Sequence, residues 1–368
     1  MSSVRELHDK AMQLAQLALI ARHNQEWEKA ESLARQSFEY EVQAAELIPG
    51  DKPSEPTRSI LYRSAASLAY QCKEFDTAQR LIAKGLSGYP PPQVEEELKD
   101  LYDQVNFEYH LKARGVTLED EDLQLSMQGK SVGSGMILYD EFIKRIRTTR
   151  TILDRTIQRL MGAKYHQGSG RIARMTCPFI PTLSTARPGS FAITIRLGIA
   201  EGEQKPLFLT AAQVIDEILT GIELIDKSDE KGLRDRIKLE GYYRHFLVST
   251  RDIAPDGDKI RFVGFTSSKR AVSLTKPRNE ISEIKITTKP GKDDTKEAAV
   301  KVEGLLDFAS ARKKKGAIGL TTKDGDEYNI IVQEGLDDLV RSYFSQWVVI
   351  TGLSRNKNIY LKDIQSIE

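Results

Sequence analysis

Basic side chains are concentrated between residues 126 and 175, where ten lysines and arginines accompany only three acids. A helix predicted over 140–161 places four of them on one side, and three more follow in or beside the next loop: Lys144, Arg147, Arg155, Arg159, Lys164, Arg171 and Arg174. Cations at helical spacing can neutralise successive phosphates, and the interleaved Tyr165 could stack on a base. The segment is a candidate nucleic-acid-binding site, with a solvated or protein-facing surface as the alternative.

A second basic run, Arg312-Lys313-Lys314-Lys315, falls between two predicted strands near the C-terminus. Four consecutive cations on such a loop can also contact a polyanion, although blocks of this kind are commonly solvated. The two segments together form the predicted nucleic-acid-binding set. Their spacing suits phosphates rather than the reading of bases.

No pattern of residues indicates a catalytic centre, a cofactor or a metal. None of the five histidines has a second histidine or a cysteine at the spacing of a zinc site, and the glycine-containing stretches lack the lysine and preceding strand of a phosphate-binding loop. Cys72 and Cys177 are expected to pack as small apolar residues. We therefore predict no catalytic, cofactor-binding or metal-ligating residue, and we favour a protein that is not an enzyme.

An enzyme whose site is assembled only by folding is the alternative. A catalytic histidine needs a partner that fixes its tautomer, and the sequence around His245 shows none. An aromatic core edge is therefore the favoured interpretation of this segment. In a hidden active site, Arg187, Arg196 and Tyr243 would be the first residues to consider.

Composition excludes several classes of protein. The 368 residues include 40% apolar and 29% charged residues, which is ordinary globular usage. The longest apolar run is far shorter than the roughly 18 residues of a membrane helix, and the first residues lack the apolar core of a signal peptide. Two cysteines cannot form a disulfide framework. We expect a cytoplasmic protein with no membrane contact.

The net charge of +1 hides an uneven distribution. Residues 1–125 contain 14 Lys and Arg and 22 Asp and Glu, whereas residues 300–368 contain 10 of each sign. The positive excess therefore lies in residues 126–299. An acidic N-terminal segment before a basic one indicates different partners for the two parts, docking between them, or merely unevenly solvated surfaces.

Residues 4–114 have the composition and the three- and four-residue apolar spacing of helices, broken at Pro49 and again at Pro90. An aromatic-x-x-alanine element occurs twice, 48 residues apart, and two alanines precede each copy at the same offsets. The two sets are Ala18, Ala21, Trp27 and Ala30, and Ala66, Ala69, Phe75 and Ala78. We expect each set to mark the crossing of two antiparallel helices, with the aromatic ring filling the adjacent gap.

This pattern resembles the tetratricopeptide repeat, in which two antiparallel helices cross at small residues. The resemblance implies helix pairs, the second closed by Pro90, and a surface that binds a peptide or helix of another protein. The spacing of 48 residues exceeds the family's period of 34, and Ala66 stands at the position of the usual glycine. A generic helical bundle is the alternative.

Residues 126–290 mix helices and strands. The pattern predicts a strand from Phe191, a helix capped by Thr210, one helix over about 231–252 and a hairpin that turns at 266–269. This stretch resembles uncharacterised bacterial proteins, and that resemblance implies no activity. The four acids at 119–122 and the polar segment at 289–294 are predicted linkers on either side.

Five short strands in about 70 residues predict a small β-barrel of the SH3-like or OB-like type, with a short helix inserted. The predicted fold class is therefore multidomain α+β. A helical tetratricopeptide-like domain covers 1–118, an α+β domain covers 126–290, and the barrel covers 299–368. Small barrels serve many functions, so the fold alone decides none.

We expect a non-enzymatic adaptor or scaffold that binds a partner protein through its helical repeats within a larger bacterial complex. The acidic character of the repeats favours a basic partner segment. The alternatives are a nucleic-acid-binding protein that uses the helix over 140–161 and its neighbouring loop, and an enzyme with a hidden site in the middle domain. The sequence leaves the oligomeric state open.

Overall fold

The chain forms two compact units, Met1–Ala113 and Arg114–Glu368. The computed structural model describes residues 3–24, 26–112, 118–133, 136–166, 179–183, 191–199, 209–282, 298–310, 317–355 and 358–367. The fold is mixed α+β, with a helical N-terminal region and a C-terminal closed barrel, as predicted. No helix in these described ranges combines the length and apolarity needed to cross a membrane.

The first unit is helical: α1 (Val4–His23), α2 (Trp27–Glu46), α3 (Thr57–Gln71), α4 (Phe75–Leu86) and α5 (Pro92–Lys112). Ser3 begins α1 with a capping box, because its hydroxyl accepts from the Glu6 amide while the Glu6 carboxylate accepts from the Ser3 amide. Alanines and a few large apolar residues form the core of the unit, among them Ala65, Ile82 and Leu98.

The turn between α1 and α2 repeats between α3 and α4, 48 residues later. The amide of Glu26 donates to the carbonyl of Ala21, and that of Glu74 donates to Ala69, both at 2.9 Å. Two antiparallel pairs, α1 with α2 and α3 with α4, therefore share one connection. Ala30 and Ala78 are both buried just after it, as expected for helix crossings.

The two aromatic residues of the repeated element differ in their surroundings. The Phe75 ring packs against Tyr70 and Tyr109, with centroids 5.6 and 6.5 Å away. Trp27 is 42% exposed. The expectation that Trp27 fills a closed gap is therefore wrong. Phe75 is covered by a tyrosine of α5, whereas the α1–α2 pair lacks such cover among the described residues.

An antiparallel sheet organises the first part of the second unit. Its described strands run in the order β4-β5-β1-β6-β7. Their ranges, with those of the short hairpin β2–β3, are β1 (Asp122–Gln128), β2 (Val132–Gly133), β3 (Met136–Ile137), β4 (Ile180–Leu183), β5 (Phe191–Gly198), β6 (Phe262–Thr266) and β7 (Ala271–Leu274). Leu125 of the central strand pairs with Ile193 and with Phe265. The β6–β7 hairpin is the one that the sequence predicts.

The acidic segment before the sheet is not wholly a solvated linker. Asp122 begins β1 and is buried, because both of its carboxylate oxygens accept from Arg196 across the strand pair, at 2.8 Å each. The hydrogen bonds from Arg196 lower the pKa of Asp122 against the opposing effect of burial. The prediction of a linker at 119–122 is therefore wrong for its last residue.

Helices cover the sheet: α6 (Tyr139–Leu160), α7 (Ala211–Asp226), α8 (Glu230–Arg236), α9 (Glu240–Ile253) and α10 (Arg278–Ser282). Thr210 caps α7 as predicted, its hydroxyl accepting from the Gln213 amide at 3.2 Å. The helix predicted over 231–252 is instead two helices. The chain leaves the helical conformation at Ile237, which turns into the core, and α9 restarts after Leu239.

The C-terminal strands close into a barrel in the order β10-β12-β11-β8-β9 within the described ranges. They are β8 (Ala298–Ser310), β9 (Ala317–Thr321), β10 (Glu327–Ile331), β11 (Trp347–Arg355) and β12 (Asn358–Ser366), with α11 (Asp337–Ser342) inserted before β11. Val248 of α9 belongs to the same apolar core as Leu320, Ile350 and Leu361 of the barrel. The barrel therefore packs against the helices of its own unit.

Candidate functional site

Arg155 of α6 is buried among acids of the barrel's inserted helix. Its Nε lies 2.8 Å from Oδ2 of Asp338, and its Nη2 lies 3.1 Å from Oδ2 of Asp337. Nη1 also donates to the carbonyl of His166 at 3.0 Å. The expectation that Arg155 lies on an open face opposite the apolar stripe is wrong, because α11 covers that side of α6 and supplies two carboxylates.

Lys144 and Arg159 also have acidic partners within the unit. The Lys144 ammonium lies 3.3 Å from Oδ1 of Asp252 and 3.3 Å from the Tyr343 hydroxyl. Arg159 contacts Glu217 at 2.7 Å and donates to the carbonyl of Arg236 at 3.2 Å. Three of the four predicted helix cations are therefore engaged in contacts that hold the unit together.

Arg147 and Lys164 are the exposed members of the predicted set. Neither forms an ion pair with another residue in the described part of the chain. Arg171, Arg174 and the run Arg312, Lys313, Lys314 and Lys315 lie outside the described residues. The structure thus brings Lys144, Arg155 and Arg159 into the α6 interface and leaves Arg147 and Lys164 accessible.

Arg145 is a buried cation that the sequence analysis did not select. Its side chain is fully buried on α6, where it contacts Glu141 one turn earlier and Asp256 at 3.2 Å. The only sequence signal was the acid at the i−4 position, a spacing that pairs residues on one helix face. Asp256 could not be anticipated, because folding brings it from beyond the end of α9.

His245 acquires its partners through folding. Its Nε2 lies 3.4 Å from Oδ2 of Asp338 and 3.3 Å from Oγ of Ser249. A serine–histidine–aspartate triad needs the serine and the acid on different ring nitrogens, so that the acid fixes the tautomer while the other nitrogen takes the proton. Both partners here share one nitrogen. The arrangement can hold an ion pair, but it does not activate Ser249 as a nucleophile.

The charges around α6 and α11 shift several pKa values. Burial opposes ionisation of Asp338, but hydrogen bonds and charges of His245 and Arg155 outweigh it and hold the pKa of this carboxyl well below its usual range. Burial and the Asp337 charge raise the pKa of Tyr165, whose hydroxyl donates to Asp337 at 2.5 Å. Burial lowers the pKa of Lys144 despite Asp252. At neutral pH this interface therefore holds ionised aspartates and protonated tyrosines.

The residues proposed for a hidden active site each have their own structural contacts. Arg196 binds Asp122 within the sheet, and the Tyr243 ring lies 4.0 Å from the Arg234 guanidinium. Burial raises the pKa of Tyr243 to about 12. Arg187 lies outside the described residues, as does Cys177. Cys72 is half-buried, and burial raises the pKa of its thiol, so it is a poor nucleophile at neutral pH.

No group of three or more His, Cys, Asp or Glu within the described ranges could hold a metal ion. The polar clusters of the second unit consist instead of acids already paired with arginine, lysine or histidine. Such pairs satisfy one another's charge, which leaves no carboxylate free for a divalent cation.

An apolar stripe on α1 is the most accessible feature of the helical unit. Leu61, Ala65 and Leu68 of α3 are buried, whereas Gln13, Leu17 and Ile20 occupy the matching α1 positions 48 residues earlier and are exposed. Leu17 and Ile20 are 44% and 57% exposed. We refer to Gln13, Leu17 and Ile20 as the α1 stripe.

The contacts of α3 show what covers its own stripe. Tyr62 packs beside Gly85 of α4, and Arg63 pairs with Glu97 of α5 at 3.1 Å. These contacts assign two sides of α3 to α4 and α5, and leave the side with Leu61, Ala65 and Leu68 to α2, which also packs on α3. The α1 stripe has no equivalent helix among the described residues.

Neither a protein-family model nor a curated protein nor a solved structure matches this chain.

Proposed function

We propose that this chain is a non-enzymatic adaptor that binds a partner protein through its helical unit. The observation that supports this proposal is the exposed α1 stripe. At the matching positions of α3 the chain buries the same stripe under one of its own helices, so the shape is suited to receive a helix. Helix-in-groove binding uses apolar residues spaced three and four apart, which is the spacing of Leu17 and Ile20 with Gln13.

The partner segment that fits this surface is an amphipathic helix with a basic polar side. Residues 1–113 carry 13 Lys and Arg against 18 Asp and Glu. Asp9 and Glu6 are exposed on the same helix, one and two turns before the stripe. Apolar side chains of the partner would cover Leu17 and Ile20 while its cations meet the acidic end of α1.

The repeated 48-residue connection supports a tetratricopeptide-like architecture for the helical unit. On this proposal the second unit comprises an α+β domain and an SH3-like or OB-like barrel. The protein acts in the cytoplasm as part of a larger bacterial complex.

The test is capture of proteins from a bacterial lysate by the tagged full chain and by two variants. Leu17→Gln with Ile20→Gln removes the apolar stripe. Leu19→Gln is the matched control, because Leu19 is 63% exposed on the same helix but points to another side. We expect a partner recovered by the parent and by the control to be lost with the double variant. Equal recovery by all three would remove the α1 stripe as the binding surface.

Nucleic-acid binding is a second proposal, supported by the exposed cations Arg147 and Lys164. Two phosphate contacts would give a salt-dependent, sequence-tolerant interaction. Arg147→Gln with Lys164→Gln should then flatten the slope of log affinity against log salt by up to about two units. No binding of a polynucleotide by the parent at low salt would eliminate this function. An enzyme site has no supporting arrangement among the described residues, since Ser249 and Asp338 share one nitrogen of His245.

A further inference from the structure

A cleft opens in the second unit between α6, the strands β4 and β5, and the helices α9 and α11. Its volume is about 510 Å³, which lies within the usual range for a small-molecule site. Much of its wall is apolar and comes from four different elements: Ile146, Leu153, Pro181, Leu183, Ile195 and Leu339. The helical unit contributes nothing to it, so this site is independent of the proposed adaptor function.

Three arginines line the same cleft: Arg147, Arg150 and Arg341. Arg150 is bound by Asp154 one turn later at 3.0 Å. Arg341 is 43% exposed and has a looser contact of 3.6 Å with Asp338. Arg147 is exposed and has no ion-pair partner in the part of the chain that the structure describes. Arg147 and Arg341 are therefore the cations that a ligand can reach.

The acids of the cleft are already neutralised from behind. Asp252 faces the Lys144 ammonium and accepts from Thr148 at 3.0 Å. Asp338 is held by Arg155 and by His245. Because these carboxylates are paired, they offer a ligand little net negative charge, and the unpaired cations dominate the electrostatics of the opening.

We propose that this cleft binds a small amphipathic anion. The carboxylate or phosphate head of the ligand lies between Arg147 and Arg341, where guanidinium groups form strong charge-assisted hydrogen bonds. Its alkyl or aryl body lies against Leu153, Leu183 and Leu339. A ligand in this position touches α6, the sheet and the barrel's inserted helix together, so it would also stabilise their packing.

Titration calorimetry with the full chain tests the proposal with probes that share a ten-carbon chain. Decanoate and decyl phosphate carry the two candidate heads, decanol lacks the charge, and decyltrimethylammonium reverses it. Acetate and inorganic phosphate keep the charge without the chain. We expect binding of decanoate or decyl phosphate only, and the stronger of the two identifies the head. Equal binding of decanol, or no binding by either anion, would overturn the proposal.

Two variants locate the binding within the cleft. Arg147→Gln with Arg341→Gln should weaken the bound anion at least about tenfold, whereas Lys164→Gln, an exposed cation outside the cleft, should not change it. Leu183→Ser removes part of the apolar wall at a side chain already 52% exposed, so the fold should persist. It should weaken decanoate while leaving any acetate signal unchanged. Undiminished binding by both cleft variants would place the anion elsewhere and reject the assignment.

Discussion

Arginines on one helix illustrate how burial decides the energetic role of a charge. Arg150 and Arg155 both lie on α6 and both have carboxylate partners. The Arg150 side chain is 48% exposed, and an exposed pair of this kind contributes at most about 1 kcal/mol. The Arg155 side chain is 7% exposed, between two acids that are also largely buried. Removing it would leave two buried carboxylates without their main counter-charge.

We predict that Arg155→Ala lowers the free energy of unfolding by about 3–5 kcal/mol. The control Arg150→Ala should lower it by less than about 1 kcal/mol. Urea unfolding followed by circular dichroism measures both. Similar losses in the two variants would show that Asp337 and Asp338 find other partners or become solvated, and would reject the buried network as a source of stability.

The acid at the centre of this network makes a pH-dependent contribution. The pKa of Asp338 is depressed in the folded protein, so its ionised form contributes stability above the unfolded pKa of about 3.9. That contribution is lost as the pH falls towards the lower, folded pKa. We therefore expect the difference in unfolding free energy between the parent and Asp338→Asn to be constant from about pH 5.5 to 4.5 and to shrink below about pH 4. A difference independent of pH down to about pH 2 would contradict the assignment.

At the scale of elements, the helix crossings depend on alanines that admit no larger side chain. Ala78 of α4 is fully buried at the crossing with α3, whereas Ala83 on the same helix is exposed. We predict that Ala78→Leu overpacks the crossing and lowers the free energy of unfolding by about 1–3 kcal/mol. Ala83→Leu should change it by less than about 0.5 kcal/mol, because surface substitutions are usually of that size. Equal stability of both variants would show that α3 and α4 can separate at little cost.

Elements with strong local signals could be predicted from the sequence. The Thr210 cap, the alternation from Phe191 and the β6–β7 turn each lie within a few residues of the structure they specify. Asp122 and the break at Ile237 could not be predicted in the same way. Asp122 is in a strand because Arg196 neutralises it from β5, and Ile237 leaves the helix because the core receives its side chain.

The site shows the same limit more strongly. Helical periodicity places Arg155 opposite the apolar stripe of α6, which would be solvent if α6 were covered on one side only. The barrel's inserted helix covers the second side, and its acids Asp337 and Asp338 are far away in sequence. Periodicity shows how the side chains of a helix are arranged, but it does not show how many neighbours the helix has.

At the scale of the whole molecule, the two tryptophans report separate units. Trp27 lies in the helical unit and Trp347 lies in strand β11 of the barrel, and the sequence contains no other tryptophan. Trp27→Phe therefore leaves a fluorescence probe of the barrel alone. The barrel shares its core with Val248 of α9, and its inserted helix holds Arg155 of α6. The domain boundary predicted between 290 and 299 implies a barrel that folds alone, whereas these contacts favour joint unfolding of the second unit.

We predict that Arg155→Ala, made in the Trp27→Phe background, lowers the urea midpoint reported by Trp347 although Arg155 lies outside the barrel sequence. The reason is that loss of Arg155 strands Asp337 and Asp338, which are part of the barrel's inserted helix. Ala78→Leu in the same background is the control, because it changes only the core of the helical unit. An unchanged Trp347 midpoint in the Arg155 variant would mean that residues 299–368 fold independently, as the predicted domain boundary implies. A shift confined to the Arg155 variant would mean that the α+β part and the barrel unfold as one.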